Sequence, residues 1–139
     1  MRSDLFILDT SVWLEVLPAG RGTPQLRERV DALLSADLVA TTGMVKLELL
    51  GGVRYQEEWT RLSELLSGLH NLPMVEEDWQ GAASTAFRLR REGITIPFTD
   101  LLIGEVALRS ESILIHRDRH FDLLASRVPL QVESYISDS

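Results

Sequence analysis

Residues 5–13 read LFILDTSVW, from Leu5 to Trp13. Leu5 to Leu8 form a short, uninterrupted apolar run, which is how a strand buried on both faces of a parallel sheet appears in sequence. The run stops at Asp9, and TSVWLEVL then starts a helix. A carboxylate that ends a buried strand is costly to desolvate unless it has a partner or a metal, so Asp9 is the first residue that asks for a chemical explanation.

Reading outward from it, Pro18 to Pro24 is a loop, and Thr23 followed by Pro24 is a cap and first-turn pair for a helix carrying Leu26, Val30, Leu33 and Leu34. Leu38 to Thr41 reads as a second strand, and GMVKLELLGG as a short helix ended by Gly51 and Gly52. From Glu57 to Leu69, the residues Trp59, Leu62, Leu65, Leu66 and Leu69 mark one apolar helical face, and Leu72 to Val75 is a brief strand or extended link. Asp78 is placed to cap a helix that runs to about Arg91 and ends at Gly93. Thr99 or Asp100 opens another helix, with Leu101, Leu102, Val106 and Leu108 buried. A strand at 113–115, a short helix from Asp118 and a last strand in LQVESY complete the chain. Strands alternating with helices predict a three-layer α/β/α domain with a central, mainly parallel sheet, occupying residues 1–139 as a single domain.

The 139 residues, 45% of them hydrophobic, suffice for one well-packed core. No apolar run approaches the roughly 20 residues of a membrane span, and the N-terminal stretch does not resemble a secretion signal. The absence of Cys excludes disulfides and thiolate metal sites and fits a cytoplasmic protein. Formal charge is 14 minus 21, or −7, which at first argues against a nucleic-acid ligand. Carboxylates gathered to hold divalent cations answer that objection, because the negative charge then describes a site rather than a repellent surface.

In open parallel sheets, ligands bind beyond the carboxyl ends of the strands. Asp9 directly follows one strand and Asp118 follows another by two residues, while Glu48 and Asp100 fall on helices. Each also has an ordinary structural role open to it. Asp118 is a favoured helix cap, Asp100 complements a helix dipole, and Glu48 pairs with Lys46 or Arg54 on a solvated face.

Taken together, LDTSVW (8–13), VKLELLGG (45–52), PFTDLLIGEVAL (97–108) and IHRDRHFD (115–122) resemble the PIN-domain family in order and local context, and within it the VapC-like toxins of type II toxin–antitoxin modules. The resemblance spans nearly the whole chain. It implies an endoribonuclease dependent on Mg²⁺ or Mn²⁺, with Asp9, Glu48, Asp100 and Asp118 as the acidic quartet and Thr10 or Ser11 as a nearby hydroxyl. It also implies RNA as substrate, a homodimer, and a small VapB-like antitoxin whose C-terminal segment covers the acidic groove. His116 departs from the family pattern, where many members have Thr or Ser. Hard oxygen ligands suit Mg²⁺ or Mn²⁺ and leave coordination positions for water and phosphate.

The remaining residues read more plainly. His70, His116 and His120 show no paired ligand spacing and are assigned to surface or core, which argues against a zinc enzyme; His116 and His120 stand out only in flanking Asp118. Asp122 is read as peripheral, on a solvated position or paired with Arg119. Arg88 and Arg91 share a helix face that is solvated or meets RNA phosphates. Trp13, Trp59 and Trp79 are assigned to core or interface. Two other functions compete: a PIN-like module that binds RNA or protein without cleaving, and a housekeeping PIN nuclease. An Asp-based phosphatase or receiver domain lacks its D-x-D motif here.

Overall fold

A computed structural model describes residues 4–18 and 20–136. The strand expected at the start is β1 (Phe6–Leu8), and Ile7 and Leu8 are fully buried. It is followed by α1 (Thr10–Val16), α2 (Pro24–Ser35), β2 (Val39–Thr41), α3 (Gly43–Gly51), α4 (Gln56–Ser67) and β3 (His70–Asn71). The second half adds α5 (Glu76–Arg91), α6 (Phe98–Ser110), β4 (Ile113–His116), α7 (Arg119–Ala125) and β5 (Val132–Ser134). All four strand pairings are parallel, in the order β3-β2-β1-β4-β5. The fold is the expected three-layer α/β/α arrangement.

This order has a functional consequence. From β1 the chain builds outward to one side through β2 and β3, then crosses to the other side of β1 for β4 and β5. The reversal falls between β1 and β4, whose carboxyl ends open a crevice at the topological switch point. Asp9 leaves the end of β1, donating its N–H to the Ile115 carbonyl at 2.9 Å, and Asp118 follows the end of β4. The two carboxylates therefore flank the crevice.

The helix α6 is buried on most of its circumference, with Leu101, Leu102, Ile103, Val106 and Ala107 in the core. Such a helix is an interior element rather than a surface one. It approaches α7 closely at Gly104, where a Cβ would lie 2.7 Å from Leu124 Cδ2. Leu108 is only half-buried, near the end where α6 emerges.

Several boundaries differ from the sequence reading for identifiable reasons. Asp78 does not cap α5 but sits in its first turn, where Oδ2 accepts the Val75 N–H at 2.9 Å. It is 1% exposed and is held by Arg109, whose Nε and Nη2 lie 2.8 and 3.1 Å from its two oxygens. The helix α6 begins at Phe98, with Pro97 as its flanking residue. The third strand is His70–Asn71, and Leu72 to Val75 is the extended link that the sequence also allowed. The strand's last ladder bond runs from Leu72 N to Thr41 O, after which Pro73 has no N–H to continue and gives its carbonyl to Arg109. Trp13 is core, but Trp59 and Trp79 are 43% and 50% exposed, as is much of Leu65, because α4 buries only Leu62 and Leu66 deeply and α5 turns Asp78, Ala82, Thr85 and Leu89 inward instead of Trp79. Helical spacing marked the stripe without showing how much of it would be covered.

The Asp78–Arg109 pair joins α5 to α6 and gives a stability test away from the crevice. Arg109→Ala is expected to cost about 2–3 kcal/mol in chemical denaturation, just below the range for a pair sealed from water, since Arg109 is partly exposed. Replacing Asp78 as well should recover part of that loss, because no buried charge is then left unpaired.

Candidate metal centre

The strand end, two helix starts and one helix face bring acidic side chains to the crevice. Asp9 is nearly fully buried and caps α1: its Oδ2 accepts Ser11 N at 3.0 Å and Ser11 Oγ at 2.6 Å. Ser11 Oγ in turn accepts the N–H of Arg117 at 3.0 Å, which ties the end of β1 to the turn after β4. Asp118 caps α7 by accepting His120 N at 2.9 Å. The cap role open to it in the sequence is thus real and coexists with a place in the crevice. Asp100 lies in the first turn of α6 and is 8% exposed.

Glu48 projects from α3 and is exposed, yet it is not paired with Lys46 or Arg54. Its Oε1 accepts from Thr10 Oγ1 at 2.8 Å, while Lys46 Nζ donates to Asn71 Oδ1. Both hydroxyls that follow Asp9 therefore have work: Ser11 steadies Asp9, and Thr10 steadies Glu48.

The four carboxylates feel one another most clearly at Asp100, whose pKa is raised to about 7. Burial is the main cause, the charges of Asp118 and Asp9 add to it, His120 opposes it, and Glu48 adds a smaller share. The tightest convergence among the described residues is not the acidic quartet itself. It comprises Asp100, Asp118 and His120, whose ligand atoms all lie within 4.8 Å of one another, and the charges of Asp9 and Glu48 reach Asp100 within it. His120 Nδ1 is 3.0 Å from Asp118 Oδ1 and 3.4 Å from Asp100 Oδ2. Hard carboxylate oxygens in this number, two of them on buried side chains, fit Mg²⁺ or Mn²⁺.

His120 was assigned to surface or core from the sequence, because ligand spacing along the chain is blind to a neighbour on another helix. The available signal was its position two residues after a capping Asp, which returns its ring toward that carboxylate. His116 is also more than a core residue. Its Nδ1 accepts the Asp118 N–H at 3.1 Å, so in the neutral ring the proton lies on Nε2 and is donated to Asp122 Oδ1 at 3.1 Å. Burial lowers the His116 pKa, against the opposing pull of Asp122, and favours that neutral form. Asp122, read from the sequence as solvated or paired with Arg119, instead binds His116 and Ser134 Oγ. This chain supports the Asp118 turn from behind. Arg88 and Arg91 lie on an exposed face, where Arg91 stacks over Phe87.

A parallel sheet with this strand order and carboxylates at its switch point defines a class. The sequence profile of the PIN domain matches residues 6–126, and the chain belongs to the PIN-domain family. Ribonuclease VapC11 of Mycobacterium tuberculosis is 29% identical over 133 residues, covering 94% of this chain and 99% of its own length. Among solved structures, VapBC-1 from nontypeable Haemophilus influenzae superposes with a TM-score of 0.75 at 24% identity, covering 96% of this chain and 99% of the other. VapBC-5 of Mycobacterium tuberculosis, a member of the VapBC family of toxin–antitoxin systems, gives 0.64 at 20% identity over 94% and 98%.

Asp100 yields a pH prediction. Its folded pKa of about 7 lies above the ordinary 3.8, so the fold prefers the protonated acid, and stability is lost as pH rises between those values. Asp100→Asn, which stays neutral, should therefore raise the melting temperature of the metal-free protein by about 3–5 °C at pH 8 and by less at pH 5. A difference that does not change with pH would contradict burial as the dominant cause.

Proposed function

We propose that the chain is a metal-dependent endoribonuclease of the VapC type, the toxin of a type II toxin–antitoxin pair, restrained by a small VapB-like antitoxin. The observation that carries this reading is the convergence of Asp100 and Asp118 near the β1–β4 switch point, where the charges of Asp9 and Glu48 also act on Asp100. Full-length similarity to a VapC ribonuclease supports RNA as the substrate. The antitoxin rests on the family resemblance and on the VapBC structures that share the fold, and a homodimeric state rests on the family resemblance alone. No helix among the described residues is long and apolar enough to cross a membrane, in keeping with action in the cytoplasm.

Asp9, Asp100 and Asp118 serve as ligands. Asp9 is suited to this because Ser11 occupies only Oδ2 and leaves Oδ1 free of those bonds. A divalent cation held there would supply charge neutralisation at the phosphate and lower the pKa of a bound water. Glu48, exposed and steadied by Thr10, would join the three aspartates as a fourth ligand or by orienting that water. Negative net charge is no obstacle at this end of the molecule. Arg88, Arg90 and Arg91 occupy the last turn of α5, which residues 92–97 join directly to the first turn of α6, where Asp100 lies. Phosphates flanking the scissile bond can meet those guanidinium groups.

RNA cleavage by the purified protein is expected to require Mg²⁺ or Mn²⁺ and to stop on chelation. Asp9→Asn and Asp100→Asn should each lower the rate by about 100-fold or more, roughly 3 kcal/mol in the barrier, while circular dichroism stays native. Cleavage that persists in those variants would remove the site assignment, and well-folded wild-type protein that binds RNA without cutting it would favour a binding module. Co-expression of a short neighbouring reading frame that relieves growth arrest would separate a toxin from a housekeeping nuclease.

A further inference from the structure

We propose that His120 is a nitrogen ligand of the cation held by Asp100 and Asp118, and that it tilts the site from Mg²⁺ toward first-row transition ions such as Mn²⁺. The inference rests on the metal-dependent reading above and adds a ligand that the acidic quartet does not include.

Three features of His120 carry it. The first is separation: Nδ1 stands 3.0 Å from Asp118 Oδ1 and 3.4 Å from Asp100 Oδ2. Octahedral bonds of about 2.1–2.2 Å place neighbouring ligand atoms about 3.0–3.1 Å apart, so these distances are close to adjacent edges of one coordination shell. The second is the state of the nitrogen. Nδ1 is shielded from solvent and makes no hydrogen bond of acceptable geometry, although two carboxylate oxygens lie beside it and 44% of the side chain is exposed. The third is how the ring is placed. Asp118 Oδ1 accepts the His120 backbone N–H at 2.9 Å, and the helix cap thereby holds the ring beside the carboxylate with which it would share the ion.

The chemical consequence follows from ligand preference. Imidazole nitrogen adds little to binding of Mg²⁺, which takes oxygen ligands and keeps much of its water, but it is an ordinary ligand for first-row transition ions. Mn²⁺ retains the octahedral, oxygen-rich preference that the carboxylates impose. Adding one imidazole to the carboxylates therefore gains affinity for Mn²⁺ and little for Mg²⁺.

The test is pulsed electron paramagnetic resonance of the Mn²⁺-loaded protein, with Mn²⁺ and Mg²⁺ titrations by calorimetry beside it. The wild type is expected to show ¹⁴N coupling to the bound Mn²⁺, and His120→Gln to lose it. The substitution should weaken Mn²⁺ binding by at least about tenfold and change Mg²⁺ binding by less than about threefold. Bound Mn²⁺ with no nitrogen coupling in the wild type overturns the proposal and leaves the carboxylate centre standing. Equal weakening of both ions also overturns it, because it assigns His120 a purely structural part. Failure of the wild type to bind either ion removes the metal-dependent reading itself.

Discussion

Carboxylates crowded at the edge of a hydrophobic core repel one another and lose hydration, and the architecture around the crevice is organised to tolerate that. Asp9 ends the central strand and Asp100 opens the most buried helix, so neither has the solvent that ordinarily stabilises an ionised acid. The compensation is local and specific. Asp9 receives two donors from Ser11, and Asp9 and Asp118 both sit at helix starts, where backbone N–H groups favour negative charge. At Asp100 burial, with the charges of Asp118 and Asp9 added, raises the pKa to about 7. A cation in the crevice would reverse the balance, turning mutual repulsion into shared coordination.

The rest of the fold holds those groups in place. Parallel pairing sets the carboxyl ends of β1 and β4 side by side, and Ser11 Oγ pins the turn after β4 to the start of α1. Behind Asp118, the His116–Asp122–Ser134 chain joins β4, α7 and β5. Arg117 adds a brace, pairing with Glu15 on α1 and donating to the Tyr135 carbonyl after β5. On the far side of β5, Glu133 receives two hydrogen bonds from Arg29 of α2 and one from the Tyr135 hydroxyl. Polar contacts thus tie the edge strand to elements distant in sequence, which limits how far the Asp118 turn can drift from Asp9. Ligand sets work only when such supporting contacts fix their orientation.

His116 illustrates how a departure from a family pattern can be absorbed. A hydroxyl at that position would be smaller; the imidazole fills buried volume, stacks at a tilt on Phe121 and still offers an acceptor to the Asp118 backbone. Its second nitrogen then recruits Asp122, a residue the sequence left peripheral.

The sequence by itself determined the alternation of strands and helices and the parallel sheet, and through its resemblance to a family it nominated the acidic quartet. Each depends on patterns that neighbouring residues carry: an apolar run ending in Asp9, helical spacing, and motif context around Asp100 and Asp118. Tertiary structure alone decided which nitrogen joins the carboxylates, which hydroxyl serves which acid, and why Asp78 tolerates burial. Those outcomes depend on side chains from separate elements meeting across the crevice or between α5 and α6. His120 approaching Asp100, Thr10 reaching Glu48 and Arg109 covering Asp78 span 20, 38 and 31 residues, distances along the chain at which spacing carries no information about contact.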